Sequence, residues 1–210
     1  MNRPVTVDFF FAPTSRYSYL ASTRMLPLQL ETGCRVDWYP LHLADLQAAA
    51  GHDMVQYGRL ASGQYDASWR GQDAAAWAEL YGVPYRDPAG IAVPDTRRLA
   101  LACVAARRLD AGQVFARRLF QAAFIEGLSP LDDAALGRLG QEVTGLDPAD
   151  LMALIADPET EAEHRRIVRR ARDAGAFGVP SFAVGARMIW GQDRLPLLRR
   201  AIEAAKAEAA

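Results

Sequence analysis

Apolar positions change their period several times along this chain. Val5 to Phe11 reads V-T-V-D-F-F-F, β-branched and aromatic, which predicts a buried strand. Ala12-Pro13-Thr14-Ser15 interrupts it as a loop. A helix is predicted from Ser15–Tyr17 to about Glu31, with Gly33 as its stop signal. Val36 to Leu41 is a second strand, and a crossover of that length implies parallel pairing. From Leu43 to Ala174 almost everything reads helical, over 74–81, 95–109, 112–126, 132–143, 148–155 and 157–174. Asp95, Asp132, Asp147-Pro148 and Asp157-Pro158 stand where helices should begin, because Asp caps free N–H groups and Pro suits the first turn. Gly51 to Gly71 has weak periodicity and several glycines, which predicts a mobile segment or a short helix between loops. After Gly175, Ser181–Val184 and Met188–Trp190 read as a hairpin turning at Gly185-Ala186, and Leu195 to Ala207 as a final helix.

The order β-α-β, helical block, β-β-α predicts an α/β fold. Its two ends meet in one mixed four-stranded sheet with helices on both faces, and the block is a large all-helical insertion. The expected division is 1–42 with 175–210 as one domain and 43–174 as the inserted one.

Composition narrows the function. The chain has 210 residues, half of them apolar, and 24 basic against 25 acidic groups for a net charge of -1. That balance argues against a nucleic-acid binder, which carries a clustered basic excess. No apolar run approaches ~18 residues, so no membrane span is expected. The first residues lack the layout of a signal peptide, and Cys34 and Cys103 are far apart, so two buried thiols in a reducing cytoplasm are expected. His42, His52 and His164 are scattered without metal-ligand spacing, so no metal site is expected.

Two places carry candidate chemistry. Ser15 opens the first helix, where it can cap, or can place a hydroxyl where free N–H groups and the helix dipole favour an anion. Val179-Pro180 lies in Gly175-Ala176-Phe177-Gly178-Val179-Pro180-Ser181-Phe182. A cis bond there would leave the Val179 backbone facing outward, ready to pair with an extended peptide-like ligand. Gln192 and Asp193 can cap the last helix or bind a ligand, while Phe177, Phe182 and Trp190 read as core.

Phe11-x-x-x-Ser15-Arg16-Tyr17-Ser18-Tyr19-Leu20 resembles the Ser-Pro-Tyr-Ser-x-Leu motif of the 2-hydroxychromene-2-carboxylate isomerase and kappa-class glutathione transferase family. These are relatives of the DsbA oxidoreductases, with a thioredoxin fold split by helices. The run Gly175 to Phe182, with Trp190-Gly191-Gln192-Asp193-Arg194-Leu195, is very similar to the family's pattern. Pro94-Asp95-Thr96-Arg97 also resembles a family motif that usually carries Asn before the small hydroxyl residue.

The resemblance implies a thioredoxin-like fold and a glutathione-dependent cis–trans isomerase of aromatic hydrocarbon catabolism, cytoplasmic and homodimeric, acting on a small aromatic-derived carboxylate. Ser15 would stand in place of the first cysteine of the redox relatives and hydrogen-bond the glutathione sulfur, with Ser18 in place of the second. Val179, before Pro180, would pair with the cysteinyl unit, and Gln192 and Asp193 would hold the γ-glutamyl end. The family's Lys in the segment after strand two has no counterpart, since the only Lys is Lys206. Arg59 and Arg70 offer guanidinium instead, and His52 takes the Asn-like position. Arg16 replaces a Pro, and Asp95 replaces an Asn. Arg16, Tyr17, His52, Arg59, Arg70 and Asp95 are therefore candidate substrate-side residues. A kappa-like glutathione transferase, or a non-catalytic DsbA-like binding protein, are the alternatives.

Overall fold

A computed structural model describes residues 4–51 and 66–208. Four strands, β1 (Thr6–Phe11), β2 (Arg35–Pro40), β3 (Ser181–Val184) and β4 (Arg187–Trp190), form one sheet in the order β2-β1-β3-β4. The pair β1–β2 is parallel, with Phe11 opposite Pro40, and β3 is antiparallel to β1, with Phe10 opposite Ser181. Hairpin β3–β4 closes the edge. The mixed sheet with a helical insertion is the arrangement the sequence predicts.

β1 is central because its side chains suit both faces. Phe9, Phe10 and Phe11 are all fully buried. Successive side chains on a strand point to opposite faces. Phe9 and Phe11 accordingly join one core with Trp38 and Phe182, and Phe10 joins a second with Tyr39, Leu41 and Ile167.

The described helices are α1 (Arg16–Thr32), α2 (Leu43–Ala49), α3 (Ala67–Tyr81), α4 (Thr96–Arg108), α5 (Gly112–Gln121), α6 (Asp133–Thr144), α7 (Pro148–Ala156), α8 (Pro158–Asp173) and α9 (Leu195–Glu208). α5 continues into a π turn, Ala122–Glu126, and α9 follows a 3-10 turn, Gln192–Arg194. The four expected aspartate caps form, each carboxylate accepting backbone N–H bonds at the start of α4, α6, α7 or α8. α3 begins seven residues before the expected Ala74, because Asp66 caps it through Trp69 N. Its interior Gly71 hid that start in the sequence. The insertion's helices share the sheet's core: Phe120 of α5 packs 5.6 Å from Phe11, and α4 sends Leu99 to one core and Val104 to the other.

Candidate functional site

Ser15 is placed by the turn that ends β1. Its N–H donates to Ala12 O (3.0 Å), and its Oγ accepts from Ser18 N (3.1 Å), which makes it the cap of α1. Ser18 is buried, and its own Oγ accepts from Ala12 N. A hydroxyl has one proton to give. The Ser15 proton has no acceptor among the described residues, so it remains free for a ligand. The first turn of α1 carries no acidic side chain of its own, the nearby Asp87 and Asp73 being engaged by Arg16 and Tyr17. Ser15 is thus a cap and an available anion donor at once.

No thiol lies near this turn. Cys34 and Cys103 are free and buried elsewhere, and burial pushes the Cys103 thiol well above its ordinary range.

Val179 approaches from the neighbouring strand. The Val179–Pro180 bond is cis, as the sequence motif anticipates. Val179 lies two residues before Ser181, the β3 residue that pairs with Phe10 of β1, and β1 runs on into the loop that leads to Ser15. Pro180 O accepts from Gly191 N (2.9 Å), but Val179 N and O have no hydrogen-bond partner among the described residues. A half-buried residue with both backbone groups unused is an open edge for an extended ligand.

Gln192 and Asp193 part company. Gln192 is buried, with Tyr81 Oη donating to its Oε1 (2.6 Å) and lying 3.0 Å from its carbonyl oxygen. Asp193 is exposed and has no hydrogen-bond or ion-pair partner among the described residues, so it does not cap the last helix through its side chain. Gly191 lies against its carboxylate, and a Cβ at Gly191 (φ 111°) would collide with Asp193 Oδ1.

The substrate-side candidates are scattered. Arg16 Nη1 is engaged by Asp87 Oδ2 at 2.9 Å. Tyr17 Oη donates to Asp73 Oδ2 (2.8 Å), and burial, with that carboxylate, pushes its phenol far above the ordinary range. Arg70 on α3 acts electrostatically on Tyr17, yet its own buried Nε has no partner among the described residues. Asp95 caps α4 by accepting from Arg97 N (2.9 Å) and Arg98 N (3.0 Å). His52 and Arg59, and most of the expected Gly51–Gly71 segment, lie outside the described residues.

Phe182 is core as expected, but Phe177 and Trp190 are not: they are 40% and 39% exposed. Their rings meet 5.0 Å apart, beside the loop that carries Val179. Gly178 allows this, since a Cβ there would stand 2.8 Å from Trp190 Nε1.

One group escaped the sequence reading. A cavity of about 200 Å³ opens between Ala12-Pro13-Thr14, the segment Leu41–Ala44 with Gln47, and Thr96. His42 lines it, with Nε2 3.1 Å from Thr96 Oγ1 and Nδ1 3.1 Å from Asp45 Oδ1. The available signal was its position directly after β2, at the carboxyl end of a parallel pair, where α/β proteins place ligands.

Comparison with known proteins fits this geometry. The sequence profile of the DSBA-like thioredoxin domain family matches residues 6–203. A 2-hydroxychromene-2-carboxylate isomerase of Sphingobium xenophagum is 31% identical over 202 residues, covering 92% of this chain and 95% of that protein. A solved 2-hydroxychromene-2-carboxylate isomerase superposes with a TM-score of 0.76 at 24% identity, covering 97% of both chains. The cytosolic disulfide reductase DsbM of Pseudomonas aeruginosa, solved with GSH, superposes with a TM-score of 0.65 at 21% identity, covering 97% of this chain and 98% of its own.

Proposed function

Because this chain belongs to the DSBA-like thioredoxin domain family, and carries serines where the redox members would place the thiols of the first helix, we propose that it is a glutathione-dependent cis–trans isomerase of the 2-hydroxychromene-2-carboxylate type. The observation that carries this reading is the Ser15 hydroxyl proton, which has no acceptor among the described residues, at the start of a helix whose first turn holds no acidic residue and no thiol. Disulfide exchange needs a thiolate, and both cysteines are buried away from this turn. The 31% identical isomerase, aligned over nearly the whole chain, supports the same reaction class.

The residues fit a γ-glutamyl tripeptide. Ser15 would donate to the sulfur and, with the α1 terminus, favour its thiolate. Val179 N–H and C=O would pair with the cysteinyl backbone. Asp193, whose carboxylate has no hydrogen-bond or ion-pair partner among the described residues, would take the α-ammonium in a charge-assisted contact. Gln192, its Oε1 held by Tyr81, keeps its amide nitrogen for the same end of the ligand. Bound there, glutathione supplies the nucleophilic sulfur whose reversible addition to a conjugated carbon lets the former double bond rotate. The protein's part is to position it and to stabilise charge.

The carboxylate of the substrate falls to Arg70. Arg16 is already neutralised by Asp87, whereas Arg70, whose Nε has no partner among the described residues, acts electrostatically on Tyr17, two residues from Ser15.

Calorimetric titration of glutathione tests the reading. Wild-type protein should bind it at micromolar to low-millimolar concentration. Asp193→Ala should weaken binding about tenfold, a loss of about 1.4 kcal/mol. No binding at ~10 mM, weaker than about 3 kcal/mol, would remove glutathione from the mechanism.

A further inference from the structure

His42 lines a cavity whose other wall is the Ala12-Pro13-Thr14 loop that leads to Ser15. β1 and β2 run parallel, with Phe11 opposite Pro40, and Leu41 N continues the pairing to Phe11 O (2.9 Å). The chain beyond β2 is thereby held beside Ala12-Pro13-Thr14, the loop that ends in Ser15. Both segments wall the same cavity, and Thr96 at the start of α4 completes it. The His42 side chain is 19% exposed, open enough to be reached and enclosed enough to be oriented.

The ring is held at Nε2 by Thr96 and flanked by a carboxylate: Asp45 Oδ1 lies 3.1 Å from Nδ1 without the alignment of a hydrogen bond, and its charge favours the tautomer with its proton on Nδ1. Nε2 then offers its lone pair toward Thr96 Oγ1 and the cavity. Asp45 is itself fixed: Arg97 Nε lies 2.8 Å from its Oδ2, and Arg97 Nη2 holds Glu161 Oε1 at 2.7 Å. Burial works to raise the Asp45 carboxyl, but the Arg97 guanidinium and the His42 ring outweigh it and keep it below the usual carboxylate range. Behind this lies His164, whose Nε2 accepts from His42 N (3.1 Å) and pins the backbone. A carboxylate–imidazole–hydroxyl line reaching a cavity is the arrangement of an acid–base catalyst.

We propose that His42 is a catalytic acid–base residue that opens the cyclic hemiketal of a 2-hydroxychromene-2-carboxylate-type substrate, before the double bond is isomerised at Ser15. This rests on the proposed function for the class of substrate but not on the cofactor. Such a substrate carries a hydroxyl and a ring oxygen on one carbon. Nε2 displaces the Thr96 contact and takes the hydroxyl proton. The electron pair of that O–H bond becomes the carbonyl π bond. The ring carbon–oxygen bond breaks, leaving its pair on the phenolate oxygen. The imidazolium, facing Asp45, returns the proton to that phenolate. Bonds and charge balance without an oxidant or other reagent, and the product is the open cis-enone.

The test leaves glutathione out. Exchange between ring-closed and ring-open forms of 2-hydroxychromene-2-carboxylate is followed by magnetisation-transfer NMR with substoichiometric protein. Wild-type protein should accelerate exchange, and His42→Gln should lose about 10²-fold of that acceleration. His42→Ala should lose it too and regain part of it with added imidazole. A wild-type protein that does not accelerate ring opening, or a His42→Gln protein that retains it, overturns the proposal. A His42→Ala loss that imidazole does not restore assigns the residue a structural role and also overturns it. The ring-nitrogen resonances of His42 in the wild-type protein supply a readout that no folding defect can confound: Nε2 should shift on substrate titration, and an unmoved signal at saturation overturns the assignment. Ring opening without isomerisation on later addition of glutathione would leave His42 standing while removing the cofactor reading.

Discussion

Arg16 and Asp87, 71 positions apart in sequence, form a part-buried ion pair directly after Ser15. Arg16 Nη1 lies 2.9 Å from Asp87 Oδ2, and Tyr85 Oη donates to the same oxygen from 3.2 Å. Gly71 of α3 makes the space, since a Cβ there would stand 2.6 Å from that oxygen. The pair joins the first turn of α1 to the segment after α3. It also cancels the charge that would make Arg16 an anion receptor. Arg16→Ala should therefore act on stability more than on substrate affinity. The cost should be about 1 kcal/mol, since Asp87 remains a third exposed. Denaturant unfolding and steady-state kinetics, run together, give the check. A KM for the carboxylate substrate raised about tenfold at unchanged stability, a loss of about 1.4 kcal/mol in binding, would show that the guanidinium leaves Asp87 to hold substrate.

Arg70 is expected to behave in the opposite way. Its Nε is buried without a partner among the described residues, so its removal breaks no internal contact there. Arg70→Gln should leave the melting temperature near that of wild type and raise KM about tenfold. Arg70→Lys should recover only part of the loss, because an ammonium cannot grip a carboxylate with two parallel bonds. Equal KM values for wild type and Arg70→Gln would rule out this anchor.

The two roles of Ser15 can be separated by one substitution. Aspartate caps a helix as well as serine does, so Ser15→Asp should preserve stability. It offers no hydroxyl proton, however, and sets a negative charge beside the sulfur. Turnover should fall about 10²-fold, the usual effect of removing one preorganised donor, and the ultraviolet thiolate absorbance of bound glutathione should disappear. Ser15→Ala should add a stability loss of about 1 kcal/mol from the missing cap. If Ser15→Asp turns over normally, the hydroxyl is a cap and nothing more.

Much of this architecture is legible in the chain because its causes are local. The Phe9–Phe11 run can only be a buried strand. The Asp caps announce α4, α6, α7 and α8, and the Val179-Pro180 motif marks the cis bond that leads into β3. What the sequence hides depends on partners far along the chain. Gly71 reads as a helix breaker until Asp87 is seen occupying the space of its missing side chain. Phe177 and Trp190 read as core because they are aromatic beside a strand, yet their rings meet 5.0 Å apart on residues that stay exposed. His42 looks isolated until the fold brings Asp45, Thr96 and His164 around it.

His164 makes stability depend on pH in a direction that can be worked out. It is fully buried on α8, with Nε2 accepting from His42 N and Nδ1 3.8 Å from Asp45 Oδ2 without a hydrogen bond. Burial is the chief cause that lowers its pKa; Arg97 and His42 act in the same sense, and Asp45 and Glu161 oppose them. The folded imidazole therefore resists a proton that the unfolded chain accepts near pH ~6.5. Below that pH the unfolded state binds more protons, so the folded state loses stability as pH falls, until the folded His164 also titrates. By about pH 8 the term has nearly vanished, since neither state is then appreciably protonated. His164→Gln keeps an acceptor for His42 N–H but cannot titrate in this range. Melting curves taken from about pH 8 down to about pH 5, the range in which histidine titrates, should fall more steeply for wild type than for His164→Gln. Because His42, Asp45, Arg97 and Glu161 are present in both proteins, the difference between the curves isolates His164. Parallel curves would mean that the buried ring takes up its proton in the folded state as readily as in the unfolded one.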